Sequence, residues 1–245
     1  MTQLQESTMR VESIYTLWWR RSRKMSTVQQ AKREQRVKRR QQRGRWDSFT
    51  DWARTQAGVF LMPIARAMGR LGIHPNTITI LGLLLQIGVG VVFGLGYITL
   101  GGRLLLVVAP VDALDGALAR ALEQRSRFGA FLDSTLDRLS DAALILGLTV
   151  HYLHEGVYLE VILLLIALVA ALMVSYTRAR AEALGFPCKV GLLTRLGRIV
   201  LIGALTAVGL PIVMIWALAL LSVFTMIQRI LYVYAVSRQD EAGGE

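Results

Sequence analysis

Six apolar runs, each close to the roughly 20 residues that cross a hydrocarbon core as a helix, fill the chain from Asn76 onward. They are predicted over 76–97, 100–121, 128–153, 157–183, 192–210 and 213–236. Lipid offers the backbone no water to hydrogen-bond, so runs of this length must close their hydrogen bonds internally. The expected fold is an all-α membrane protein with six transmembrane helices. Asn76 and Thr77 behind Pro75 supply a start signal for the first run, and Pro211 a tight turn between the last two. An apolar content of 53% and a mean hydropathy of +0.45 exclude an ordinary soluble domain.

The first part of the chain differs in character. Of 28 basic residues, 12 fall between Arg20 and Arg45, against the single acid Glu34. Residues 1–46 are therefore expected to form a basic, polar cytoplasmic tail held against anionic headgroups, not a nucleic-acid binder. Within it IYTLWWRR, Ile14 to Arg21, suits the bilayer interface. Residues 47–72 interleave Trp52, Phe60, Ile64 and Met68 with Arg54, Arg66 and Arg70, which predicts an interfacial amphipathic helix. The competing interpretation, a short span, is interrupted by Pro63. The membrane domain is thus expected over 47–240. No cleavable signal is legible, and both Met1 and Met25 fit as a start. The lone Cys188 excludes an internal disulfide and a cysteine zinc site. With the tail cytoplasmic, Arg120, Arg125, Arg127, Arg178, Arg180, Lys189, Arg195, Arg198, Arg229 and Arg238 fall on the same side, while the opposite loops offer little beyond Arg103. Six spans satisfy the positive-inside rule and five violate it. Both termini are then cytoplasmic in a multi-pass protein of the cell membrane.

Against this background DALDGALARALEQRSRFGAFLDSTLD, Asp112 to Asp137, is an anomaly. At about 100° per residue, Asp112, Asp115, Gly116, Ala119 and Arg120 share one helix face, and Gly129, Asp133 and Asp137 stack on another. Ionised and unpaired, each carboxylate within a membrane costs roughly 3 kcal/mol or more, so something positive must face them. Any single aspartate could pair with Arg120, Arg125, Arg127 or Arg138. For the set of four, an all-oxygen site suits hard divalent cations such as Mg²⁺ or Mn²⁺, two of which would clamp a nucleotide diphosphate. Small residues at Gly116, Ala119 and Gly129 would let a nucleotide approach the backbone closely. Asp141 continues the spacing of Asp133 and Asp137 and might seem a fifth ligand, but it lies outside the eight-residue pattern from Asp112 to Asp137 and is not counted as one.

The stretch resembles the complete signature of the CDP-alcohol phosphatidyltransferase family, D-x2-D-G-x2-A-R-x8-G-x3-D-x3-D, with every fixed position present. Eight fixed residues at roughly 7% frequency each coincide by chance at about 10⁻⁹ per starting position. The resemblance implies six spans behind an interfacial helix and a reaction in which an alcohol displaces CMP from a CDP-linked lipid. It implies that Asp112, Asp115, Asp133 and Asp137 hold two divalent ions and that Asp137 is also the general base. Gly116, Ala119, Arg120 and Gly129 would then border the CDP-lipid, CDP-diacylglycerol or an ether-lipid analogue, and the enzyme would be a homodimer.

The acceptor is the second question. Arg178, Lys189, Arg195 and Arg198 gather positive charge near the cytoplasmic mouth, which suits an anionic acceptor because guanidinium grips phosphate through paired hydrogen bonds. The pattern YTRARAE, Tyr176 to Glu182, resembles the branch that makes phosphatidylinositol phosphate from inositol 1-phosphate, or its archaeal ether-lipid counterpart. Phosphatidylglycerophosphate synthesis from glycerol 3-phosphate is the nearest rival, and cationic acceptors such as choline are disfavoured by the arginines. An ion-coupled transporter is the reading from another class, but the acids sit at one membrane face and no repeated pair of broken helices is visible.

Overall fold

The computed structural model describes residues 74–121 and 126–242. Six helices occupy them: α1 Pro75–Gly94, α2 Ile98–Ala121, α3 Arg127–His154, α4 Tyr158–Ala183, α5 Arg195–Ala207 and α6 Pro211–Ala242. Each predicted run contains one helix, and the described residues form no strand. The basic tail and the interfacial helix of the sequence reading lie outside the described residues.

Two helices depart from expectation. The last continues to Ala242, and the fifth has only 13 residues. At about 1.5 Å per residue α5 cannot cross a hydrocarbon core of about 30 Å unaided. Its shortness is local in origin. Pro187 and the left-handed Gly191 keep the preceding chain non-helical, and Thr194 caps α5 by accepting from the Gly197 N–H at 3.5 Å.

Neighbouring helices pack as a closed circuit: α1 on α2, α2 on α5, α5 on α6, α6 on α4, α4 on α3, and α3 back on α1. The interior is filled from all six, with Val89 and Phe93 of α1 meeting Leu105, Leu144, Leu148, Leu164, Ile202 and Leu218. Two contacts in the circuit are backbone to backbone. A side chain on Gly147 of α3 would run into the Gly90 carbonyl of α1, and one on Gly102 of α2 would sit 2.5 Å from the Ala207 nitrogen. Lipid gives no hydrophobic drive for helices to associate, so close approach over small residues supplies the attraction instead.

The outside is as apolar as the inside, with Leu84, Val91, Val107, Val169 and Leu220 all exposed. In water such a surface would aggregate; against lipid it is a solvated one. Helices α1 and α4 and the Pro211–Gln239 part of α6 are long and apolar enough to cross a membrane. The apolar part of α2 ends at Val111, and α3 carries Asp133, Asp137, Arg138 and Asp141. The chain is a multi-pass membrane protein whose less apolar helices are those bearing the acids.

Candidate active site

The site lies where α1, α3 and α5 begin and α2, α4 and α6 end. Ser126 caps α3, its Oγ accepting from the Gly129 N–H at 2.8 Å. A side chain on Gly129 would stand 3.2 Å from the Asn76 Oδ1, so α1 and α3 start at one level. Asp133 and Asp137 follow one and two turns later, both partly exposed. Asp112, Asp115, Gly116, Ala119 and Arg120 lie on the last turns of α2, which is helical to Ala121; their side chains fall outside the described residues. Since α2 runs back from α1 through a short turn, this segment ends on the same side as Asp133. Helices α2 and α3 both pack on α1, and among the described residues they do not pack extensively on one another.

Across the interior from α3, α5 presents Arg195 and Arg198 on one face. Arg195 Nη1 is 2.9 Å from Asp137 Oδ1, and its Nε is 3.8 Å from Asp141 Oδ1. Arg198 Nη2 donates to Asp141 Oδ2. The result is a ladder of alternating sign, Asp137, Arg195, Asp141, Arg198. Its side chains fall in exposure from 27% and 24% at the first two to 6% and 3% at the last two. For Asp137 and Asp141 the positive partners come from α5, while Arg138 turns back to donate to the Ser134 carbonyl of its own helix.

The other two basic residues offered for an acceptor phosphate stay at the rim. Arg178 is exposed and pairs with Glu182 at 2.9 Å, and Lys189 is exposed on the connection between α4 and α5. Of the four basic residues offered for an acceptor phosphate, Arg195 is the one set beside Asp137, and Arg198 stands behind it.

Sequence reasoning missed how the 184–194 connection is held. Leu193 N donates to Thr225 Oγ1 at 3.0 Å, and Leu192 N to Gln228 Oε1 at 3.2 Å. Arg229, taken from sequence only as a topological charge, is 4% exposed; its Nε donates to the Val190 carbonyl at 2.8 Å and its Nη1 to the Val174 carbonyl. Irregular backbone beside a bilayer needs such partners. The one available cue was Thr225 and Arg229 four residues apart inside an apolar run. This anchoring fixes Thr194 and hence the start of α5 that carries Arg195. Burial of Cys188 in the same connection pushes its thiol above the usual range, with Arg229 opposing the shift.

By residue type the donor set suits a divalent cation, although no three such side chains gather among the described residues. Asp133 and Asp137 are carboxylates one turn apart on α3, and Asp112 and Asp115 are a second pair on the end of α2; hard cations prefer such all-oxygen ligands. The Arg195 guanidinium beside Asp137 adds positive charge at the same place.

The family model for CDP-alcohol phosphatidyltransferase matches residues 72–230. The archaetidylinositol phosphate synthase of Methanothermobacter thermautotrophicus is 41% identical over 181 residues, covering 71% of this chain and 89% of that protein. The phosphatidylinositol phosphate synthase of Corynebacterium glutamicum is 36% identical over 186 residues, covering 72% and 85%. The crystal structure of the Mycobacterium tuberculosis phosphatidylinositol phosphate synthase with CDP-DAG bound superimposes with a TM-score of 0.68 at 34% identity, over 71% of this chain and 93% of that one. The same enzyme in complex with manganese and citrate gives a TM-score of 0.67.

Proposed function

This chain belongs to the CDP-alcohol phosphatidyltransferase family, and from that premise we propose that its acceptor is inositol 1-phosphate, giving phosphatidylinositol phosphate, or the ether-lipid equivalent, and CMP. The enzyme is a transferase of phospholipid biosynthesis. The observation that carries a phosphate-bearing acceptor is the Arg195 guanidinium 2.9 Å from Asp137, which joins a phosphate-gripping group to the proposed base within one contact; the choice of inositol over glycerol rests on the relatives. Relatives named for inositol phosphate acceptors support it.

Asp112, Asp115, Asp133 and Asp137 are the proposed ligands of two divalent ions, Mg²⁺ or Mn²⁺. When bound, such ions neutralise the diphosphate and stabilise charge on the attacking and leaving oxygens. The protein's own contribution is positional. Gly129, with Gly116 and Ala119, admits the CDP group close to helix backbone, and Arg120 borders it. Arg195 grips the acceptor phosphate through paired hydrogen bonds, with Arg178 and Lys189 at the rim and Arg198 behind it. The acceptor hydroxyl is then held beside Asp137, whose carboxylate accepts its proton as the oxygen attacks phosphorus and CMP leaves. In the membrane we place all six helices across or within the bilayer, the site and both termini on the cytoplasmic side, and two copies in a homodimer.

The test is a purified enzyme given CDP-diacylglycerol, Mg²⁺ or Mn²⁺, and inositol 1-phosphate, glycerol 3-phosphate, inositol or serine in parallel, scored by CMP release. Turnover is expected with inositol 1-phosphate at least tenfold above the others in kcat/KM, about the discrimination one lost phosphate or polyol contact produces. Preference for glycerol 3-phosphate would reassign the acceptor.

A further inference from the structure

The lipid-facing side of the bundle is not smooth. Between α1 and α3 runs a groove of about 400 Å³. Its walls are two helix rows, Ile87, Val91 and Leu95 on α1 and Leu146 and Val150 on α3, all of them exposed. Glycine forms much of the floor: Gly90 and Gly147 bring the two backbones together, and Gly94 follows one turn after Gly90. Close approach accounts for Gly90 and Gly147 but not for Gly94. A Cβ on Gly94 would meet the Gly147 carbonyl oxygen at 3.6 Å and Val150 Cγ1 at 3.8 Å, both ordinary contacts, and the residue is still helical. The fold would tolerate a side chain there; the groove would be filled by it.

The dimensions select an occupant. Along α3 the lining runs from Ala143 to His154, about 16 Å at 1.5 Å per residue. That is close to half of a hydrocarbon core of about 30 Å, the depth of one leaflet. Spread over this length, the volume leaves a channel about 5 Å across. A helix from a second copy, about 10 Å in diameter with its side chains, is too wide. A single hydrocarbon chain, whose carbons touch their neighbours at about 4 Å, fits. Polarity then sets its direction. The lining is apolar except for His154 at the end away from the acids, where the ring can hydrogen-bond a phosphate oxygen; Ala143 at the other end offers nothing to a headgroup. A donor lipid with its headgroup at the acid end would enter the wrong way round. In the groove a chain is touched on three sides instead of one, which favours it there over the bulk of the bilayer. We propose that the groove between α1 and α3 holds one acyl chain of a phospholipid from the leaflet opposite the acids, with its headgroup beside His154.

The test places the full chain in phosphatidylcholine nanodiscs containing a trace of the same lipid with a photoactivatable diazirine, set either near the headgroup or at the chain terminus. Cross-links are mapped by peptide mass spectrometry. In the wild type the terminal label is expected at Ile87 and Ala143 and the headgroup-proximal label at Leu95 and His154, both in excess over Leu220 on the exposed face of α6. The reverse order would mean a chain entering from the acid side, and labelling no denser than at Leu220 would mean ordinary contact with the bilayer; either overturns the proposal. Gly94→Leu is expected to abolish the excess. Gly88→Leu, at an exposed α1 position with open space around it, is expected to keep it, and CMP release by both variants shows that they are folded. Excess labelling that survives in Gly94→Leu also overturns the proposal, as does a disulfide between two copies through Leu146→Cys, which would put a second copy on the groove. If Gly94→Leu does not fold, the order of the two labels on the wild type decides.

Discussion

The two ends of this bundle are built on opposite plans. At the end away from the acids, α1, α3 and α5 each turn straight into the next helix through Gly96, Gly156 and Gly209. At the first of these, Gly96 at φ 89° closes the helix while Tyr97 N returns to the Val92 carbonyl at 3.2 Å, a reversal that an L side chain would strain. The neighbouring helices approach over Gly90, Gly147 and Gly102. At the acid end the long 184–194 connection is pinned by Thr225, Gln228 and Arg229, and the facing helices are joined by ions. One end is held by close backbone packing and the other by hydrogen bonds and ion pairs, and the charged residues are gathered at the second.

Substitutions at the two ends should therefore separate activity from stability. The largest effect is expected for Asp137→Asn, which removes the proposed base and keeps the shape. Turnover should fall by about 10² to 10⁴ with an unchanged melting transition, and near-normal turnover in a folded variant would show that Asp137 is not the base. Next comes Gly147→Leu at the opposite end. Overpacking against the Gly90 carbonyl should destabilise by about 1–3 kcal/mol, read as a lower melting temperature in detergent, with both KM values unchanged. A rise in acceptor KM instead would mean that the ends are coupled.

Between these extremes lies the anchored connection. Thr225→Val strips the acceptor from Leu193 N, a buried group whose loss costs about 1–3 kcal/mol locally. Faster proteolysis within 184–194 and a raised acceptor KM are expected, since the start of α5 is released; a change in CDP-lipid KM alone would refute that route. Arg178→Ala is smaller still. Its exposed pair with Glu182 should contribute no more than about 0.5 kcal/mol, so a melting shift larger than that would assign it a structural role, and its loss should appear as a modest rise in acceptor KM. The mildest expectation concerns Cys188, whose thiol burial holds above the usual range. The reactive thiolate then forms only at higher pH than in a free cysteine, so maleimide labelling should be slow at neutral pH and accelerate later than a model thiol.

The legible part of the fold was that set by local pattern. Run length and polarity marked all six helices, and the flanking Pro75 and Pro211 marked two starts. The fifth was overestimated because Leu192 to Leu210 is mostly apolar, and hydropathy does not register that Gly191 and the Thr194 cap have already stopped the helix from beginning earlier. At the site, the eight signature residues announce themselves by spacing, since each helix face is a local property. Asp141 and Arg198 do not. One resembles a surplus member of the aspartate series and the other an ordinary cytoplasmic arginine, and their pairing joins residues 57 positions apart.

By itself, then, the sequence determined that this chain lives in a membrane as helices and that it carries the acidic signature of the CDP-alcohol phosphatidyltransferase family, because hydrophobic length and helical spacing act over a few turns. Only the tertiary structure decided which cation faces which carboxylate. That choice depends on α3 and α5 standing opposite each other in a closed circuit of six helices, an outcome of packing among all of them that no local stretch encodes.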